Sequence, residues 1–336
     1  MPVSLCRDFV ILNVFCDEIF VISFPKKLLK MKLRYGVVGV GGIGGFYGGK
    51  LAFNGEEVHF LLHSDYPHVK EYGLRIDSVV GDFIIPHVNA YSHQDDMPRC
   101  DVVIVGLKTT NNHLLKDILP PLIHKDTVVV LIQNGLGLES DLAKEFPGLS
   151  IAGGLAFICS SKIGPGHIAH QDYGALNLGS YSCAKLEIVE KVVADFVRAG
   201  VEAHLVDLQS ARWKKLVWNI PYNGMTVVLN GKTDELTTHP ATRSLLRQMM
   251  EEVVVASRAI AVKDRIGDEV IGQMLQMTER MAPYAPSMKL DYDFHRPLEI
   301  EYIYSRPLEE ARKAGAEMPC VATLERQLKF LAEKNS

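Results

Sequence analysis

The sequence predicts an α/β domain followed by an all-helical one. Three observations carry this expectation. A strand, a glycine-rich turn and a helix succeed one another at 33–54. Continuous apolar, strand-like runs recur at 101–106 (DVVIVG) and 127–132 (TVVVLI). After Gln209 strand signals nearly vanish, and apolar positions recur at helical spacing over 209–222, 241–262, 268–281, 299–314 and 321–334.

The elements follow in order. LRYGVV at 33–38 is a short, mostly apolar strand, and GVGGIGG at 39–45 comes directly after it. A helix is predicted from Ile43 to Asn54, with Asn54-Gly55 as its stop signal, and strand 57–62 (EVHFLL) then completes a βαβ unit. Strands at 74–78 and 82–88 pair antiparallel through Gly81. The runs at 101–106 and 127–132 have the character of buried parallel strands, with helical pattern at 113–122 and 138–146 after them. Glycines at 153, 154, 164, 166, 174 and 179 suggest hairpins, before a helix at 186–198 and a short strand near 202–206.

A chain of 336 residues fits two domains, and an apolar fraction of 47% describes a folded protein. The predicted division is 31–206 for the α/β domain and 207–334 for the helical one, with the active site expected in a cleft between them. Net charge is -4, which gives no general reason to bind nucleic acid or an anionic membrane. Six cysteines are scattered without a CxxC pair or zinc-ligand spacing, so no metal is expected and a reducing, cytoplasmic compartment is the simpler reading.

Residues 1–30 stand apart. The apolar run from Phe9 to Phe24 is interrupted by Asp17 and Glu18, which makes a poor membrane span, and its lysines follow the apolar run where a signal peptide needs them before it. The preferred reading is an upstream extension outside the working protein, with Met31 as the start. A docked extra segment and a targeting or membrane-associating segment stay open beside it.

The glycine turn carries the clearest chemistry. Gly39 permits a tight turn, Gly41 leaves room for a pyrophosphate, and Gly44 lets the helix approach the sheet. With Val40, Gly42 and Ile43 between them, these residues set phosphates against the positive end of a helix, the signature of a Rossmann-type dinucleotide-binding domain. The next strand ends in FLLHSD at 60–65. A carboxylate there serves an unphosphorylated ribose and a cation serves a 2'-phosphate, so His63, Ser64 and Asp65 leave the coenzyme's phosphorylation state open. Lys108, after the strand at 101–106, can approach the nicotinamide side or be a plain surface lysine. Asn134, after the strand at 127–132, can orient cofactor or substrate or stabilise its own turn.

In ARWKKLVWNIPYNGMT, 211–226, Lys215, Asn219 and Asn223 fall at steps of four and share a helical face, unless Pro221 bends it. Farther on, PSMKLDYDFHRPLEIEYI at 286–303 supplies Ser287, Glu299 and Glu301. The two glutamates are two apart and cannot share one helical face; spacing alone does not choose between them.

Taken together, GVGGIGG, GLKTT (106–110), LIQNGLG (131–137), GPGHIAHQDYGALNLG (164–179), WKKLVWNIPYN (213–223) and PSM…LEIEYI resemble the ketopantoate reductase family over about 300 residues from Met31. That resemblance implies NADPH-dependent reduction of a small 2-oxo acid, ketopantoate. It places the general acid on Lys215 and pocket amides on Asn219 and Asn223. The family's substrate-binding serine and carboxylate fall on Ser287 and Glu299, with Asn134 and Lys108 beside the coenzyme. The arginine that many NADPH-using members carry after the second strand falls on His63. The resemblance further implies a monomer or homodimer without nucleic-acid or membrane partners. Three alternatives accompany it: a paralogue that reduces a different 2-oxo acid, an inactive dinucleotide-binding regulatory protein, and a more general β-hydroxyacid dehydrogenase, which KKLVWNIPYN and PSM…LEIEYI fit less well.

Overall fold

The computed structural model describes residues 10–14, 18–22 and 25–335. Much of the amino-terminal stretch that the sequence sets apart (1–9, 15–17, 23–24) lies outside the described residues. Two short strands, β1 (Val10–Val14) and β2 (Glu18–Ile22), pair antiparallel, and a short helix, α1 (Lys26–Lys30), follows.

The chain forms two compact units, Met1–Gln133 with Glu139–Val206, and Asn134–Leu138 with Asp207–Ser336. The first is built on a ten-stranded sheet. β3 (Arg34–Val38), α2 (Gly42–Phe53) and β4 (Glu57–Leu61) form the βαβ unit, with β3 and β4 parallel. A helix that hydrophobic periodicity does not announce, α3 (Tyr66–Tyr72), precedes the antiparallel pair β5 (Leu74–Ser78) and β6 (Phe83–Ile85) and the edge strand β7 (Asn89–Tyr91). β8 (Val102–Val105) and β9 (Val128–Ile132) are buried at every position, as continuous apolar runs should be when helices or loops cover both sheet faces. Between them the helical pattern begins as a 3-10 turn, Thr109–Leu114, before α4 (Leu115–Leu122). After α5 (Leu138–Glu145), the glycine-rich stretch folds as one long hairpin, β10 (Ser150–Gly164) and β11 (His167–Ser180). α6 (Leu186–Arg198) and β12 (Ala203–Leu205) complete the unit. The strand order is β6-β5-β11-β10-β9-β8-β3-β4-β7, with β12 beside β11.

A wholly buried charge cluster fastens α6 to β3. Lys191 and Asp195, both fully buried one helical turn apart, form an ion pair, and Tyr35 donates to Asp195 Oδ2 at 2.6 Å.

The second unit is helical. α7 (Leu208–Val228) is capped by Asp207, whose carboxylate accepts the Ser210 N–H at 2.9 Å. It runs unbroken through Pro221, six residues beyond the predicted end at 222. The flanking side chains are anchored on both sides. Trp218 and Tyr222 stack at 4.9 Å, Trp218 Nε1 donates to Thr278 at 2.9 Å, and Tyr304 donates to the Ile220 carbonyl at 2.9 Å. These contacts hold the helix where proline removes one backbone bond. The predicted helix at 241–262 is α9 (Pro240–Ala259), and a short helix that the sequence does not announce, α8 (Thr233–Thr238), precedes it; the two are separate because Pro240 cannot continue a helix but can begin one. α10 (Glu269–Arg280) and α11 (Ser287–Asp293) follow. A π-helical turn, Glu301–Ser305, leads into α12 (Arg306–Lys313), and α13 (Pro319–Asn335) closes the chain. Among the described residues, no helix is long and apolar enough to cross a membrane.

Candidate functional site

The glycine turn sits at the carboxyl end of β3. Gly39 has φ +87°, and a Cβ there would lie 2.5 Å from the Leu107 nitrogen, so both conformation and space require glycine. At Gly44 a Cβ would approach the Gly39 carbonyl oxygen to 2.2 Å, which fixes how closely α2 packs on the turn. Gly41 differs: its backbone is extended and a Cβ there would meet nothing within 4 Å. The side chain is missing in front of an open space, at the residue that caps the start of α2 without a side-chain bond. A helix start leaves backbone N–H groups unsatisfied, and this open face fits a pyrophosphate. Val40 and Ile43, half-buried, pack against the sheet core and hold the turn, while Gly42 packs against the carbonyl of Ser160 on β10.

At the end of β4, His63 and Ser64 are exposed, whereas Asp65 is buried and turned into the fold. Its Oδ1 accepts from Lys162 at 2.8 Å and its Oδ2 from the Gly166 N–H at 3.1 Å. Burial pushes this carboxyl up, but Lys162 and Gly166 outweigh it and hold the pKa below the usual carboxylate range. Lys108 is exposed at the mouth of the 3-10 turn after β8. Behind it, buried Gln133 donates to the Leu107 carbonyl at 2.8 Å and to Asn112 Oδ1 at 2.7 Å, fastening the end of β9 to that turn.

The remaining residues gather in the helical unit. Lys215 is half-buried on α7, and Asn219 and Asn223 are buried one and two turns on. Burial pushes the Lys215 ammonium down to about 7, the Arg212 charge pushes it the same way, and the Glu299 carboxylate opposes both. An amine at that value is charged and neutral in comparable amounts at neutral pH, and so can give a proton readily. Arg212 is buried one turn before Lys215, at the three-residue spacing that places both on one face of α7 and marks it as a second positive charge beside the lysine.

Asn223 Nδ2 donates to the Asn219 carbonyl at 3.0 Å, and its Oδ1 accepts the Met288 N–H at 3.2 Å. The second bond ties α7 to the first turn of α11, which opens on half-buried Ser287. Glu299 is 5% exposed, while Glu301 is exposed and pairs with Arg306 at 2.8 Å. The inward glutamate is therefore Glu299.

Asn134, half-buried, opens the five-residue segment Asn134–Leu138 that joins the helical unit. Gly135, at φ +103°, lies against the Tyr302 carbonyl, where a Cβ would come within 2.5 Å, and Leu136 N–H donates to that carbonyl at 2.8 Å. The bonds seat Asn134 beside the turn that follows Glu299.

Known proteins match both units. Residues 35–182 match the family described as Ketopantoate reductase PanE/ApbA, and residues 207–332 match its C-terminal counterpart. The 2-dehydropantoate 2-reductase of Nostoc sp. is 47% identical over 308 residues, covering 90% of this chain and 96% of its own. Among solved structures, the 2-dehydropantoate 2-reductase of Geobacter metallireducens superposes with a TM-score of 0.85 at 37% identity, covering 90% of this chain and 100% of its own. That of Methylococcus capsulatus gives 0.83 at 29%, covering 90% and 98%. With its glycine turn, its lysine-bearing helix and both halves of the family matched in order, the chain belongs to the ketopantoate reductase family.

Proposed function

We propose that the chain catalyses the NADPH-dependent reduction of 2-dehydropantoate (ketopantoate) to pantoate, a step toward pantothenate and coenzyme A. The observation that carries the mechanism is Lys215, an ammonium lowered to about 7 on a helix that also bears Asn219 and Asn223.

When bound, the coenzyme supplies a hydride to the ketone carbon. The Rossmann unit holds its pyrophosphate at Gly39–Gly44 on the start of α2, with His63 and Lys108 as further contacts. In the helical unit, Lys215 Nζ stabilises the negative charge that develops on the carbonyl oxygen and delivers its proton there. Glu299 keeps part of the lysine charged and, with Ser287, orients the substrate hydroxyl. Asn219 and Asn223 hold its remaining oxygens, and Asn134 aligns substrate with coenzyme. The same reading gives a cytoplasmic monomer or homodimer that acts without nucleic acid, in keeping with 36 basic against 40 acidic residues.

The test is an assay of purified protein with ketopantoate and a panel of other 2-oxo acids, each with NADPH and NADH. Turnover of ketopantoate with NADPH above every other combination is expected. Preference for another 2-oxo acid would establish a paralogue, and binding of coenzyme without reduction of any acid would establish an inactive dinucleotide-binding protein.

A further inference from the structure

An unphosphorylated coenzyme is read by a carboxylate at the end of the second strand of a Rossmann unit, and a 2'-phosphate by a cation. Here the carboxylate at that place, Asp65, is bound to Lys162 and to the Gly166 N–H, so it is not offered to a ribose. The cation that holds it belongs to another element. Lys162 lies on β10, two residues beyond Ser160, whose hydroxyl donates to the Gly42 carbonyl at 3.0 Å at the start of α2. The register Ser160–His170, Ser161–Ala169, Lys162–Ile168 is continuous, so Ser160 and Lys162 point to one face of the strand. That face runs from the phosphate-binding turn to Asp65, just past the end of β4, and leaves the Lys162 side chain 39% exposed.

We infer that Lys162 is the residue that selects the 2'-phosphate of the coenzyme, standing in from the hairpin for a cation on β4. This rests on the NADPH reading above. Asp65 is a positioning residue: buried and held by Gly166, it keeps the ammonium at the end of β4. An incoming phosphate dianion then shares that ammonium, while the Ser64 hydroxyl helps to hold Asp65 by donating to its Oδ1 at 3.2 Å.

Isothermal titration of the full chain with NADPH and with NADH tests this directly. Lys162→Ala should weaken NADPH by about tenfold or more while leaving NADH within about twofold, and Lys162→Arg should restore most of the preference. Because the alanine variant strands a buried carboxylate, the double variant Asp65→Asn/Lys162→Ala is measured beside it. It should fold normally and still lack the preference. If the double variant regains the preference, repulsion from Asp65 explains the loss and the assignment falls. It falls equally if the alanine variant keeps the wild-type ratio. Failure of the coenzyme reading looks different, since the wild-type protein itself would then show no preference for NADPH.

Discussion

The side-chain oxygen of Asn223 accepts the backbone N–H of Met288 at 3.2 Å, fastening the carboxyl-terminal part of the long helix α7 to the residue after Ser287. Asn223→Ala removes this bond and leaves the Met288 N–H buried without that acceptor, at a cost of about 1–3 kcal/mol. Hydrogen exchange at 287–293 should quicken, and the KM for ketopantoate should rise more than kcat falls. Unchanged exchange in that segment would show that α11 is held by other contacts.

Lys215→Ala should lower kcat by roughly a hundred- to ten-thousandfold while the Kd for NADPH moves little. If Lys215 is the proton donor as proposed, the reduction rate of the wild-type protein should fall as pH rises through about 7, where its ammonium loses its proton. Stability carries the opposite sign. Between about 7 and the ordinary value of 10.5, the unfolded chain holds a proton that the folded chain lacks, so this group's contribution to stability grows as pH rises through that window. Lys215→Met should therefore flatten the gain in Tm between pH 7 and pH 10.

Arg212 and Glu299 act on Lys215 in opposite directions. Arg212→Gln should move the alkaline limb of the rate profile to higher pH, and Glu299→Gln should move it lower. Two shifts of the same sign would contradict this electrostatic account.

Gly41→Ala and Gly44→Ala should fail for different reasons. At Gly41 the new methyl group enters open space on an extended backbone, so the Tm should hold while affinity for NADPH falls by an order of magnitude or more. At Gly44 the methyl collides with the Gly39 carbonyl, so the Tm itself should drop. Calorimetry paired with thermal melting separates the two.

Lys191→Met should cost about 3–5 kcal/mol, because it strands the buried Asp195 carboxylate with the Tyr35 hydroxyl and the edge of Arg198. Adding Asp195→Asn should recover much of the loss. Denaturant melts of the single and double variants measure both effects.

Much of this molecule can be read along the chain where one element's own pattern decides its fate. β8 and β9 announce themselves because every position is apolar and every position is buried. The steps of four from Lys215 to Asn223 survive because α7 continues through Pro221. Spacing could not choose between Glu299 and Glu301, since that depends on which one the π-helical turn faces inward. α11 is only seven residues long and is held by a bond from a residue 65 positions away, so local propensity barely marks it. The Lys162–Asp65 pair spans 97 positions, and neither residue's neighbours hint at the other.

The segment Asn134–Leu138 gives the helical unit an unusual dependence. A fragment starting at Asp207 would lack the strap that seats on the Tyr302 carbonyl, and a fragment ending at Val206 would carry that strap with nothing to dock on. One cut cannot yield both units whole. During synthesis the strap emerges early and waits for its dock until the turn at Glu301–Ser305 has been made.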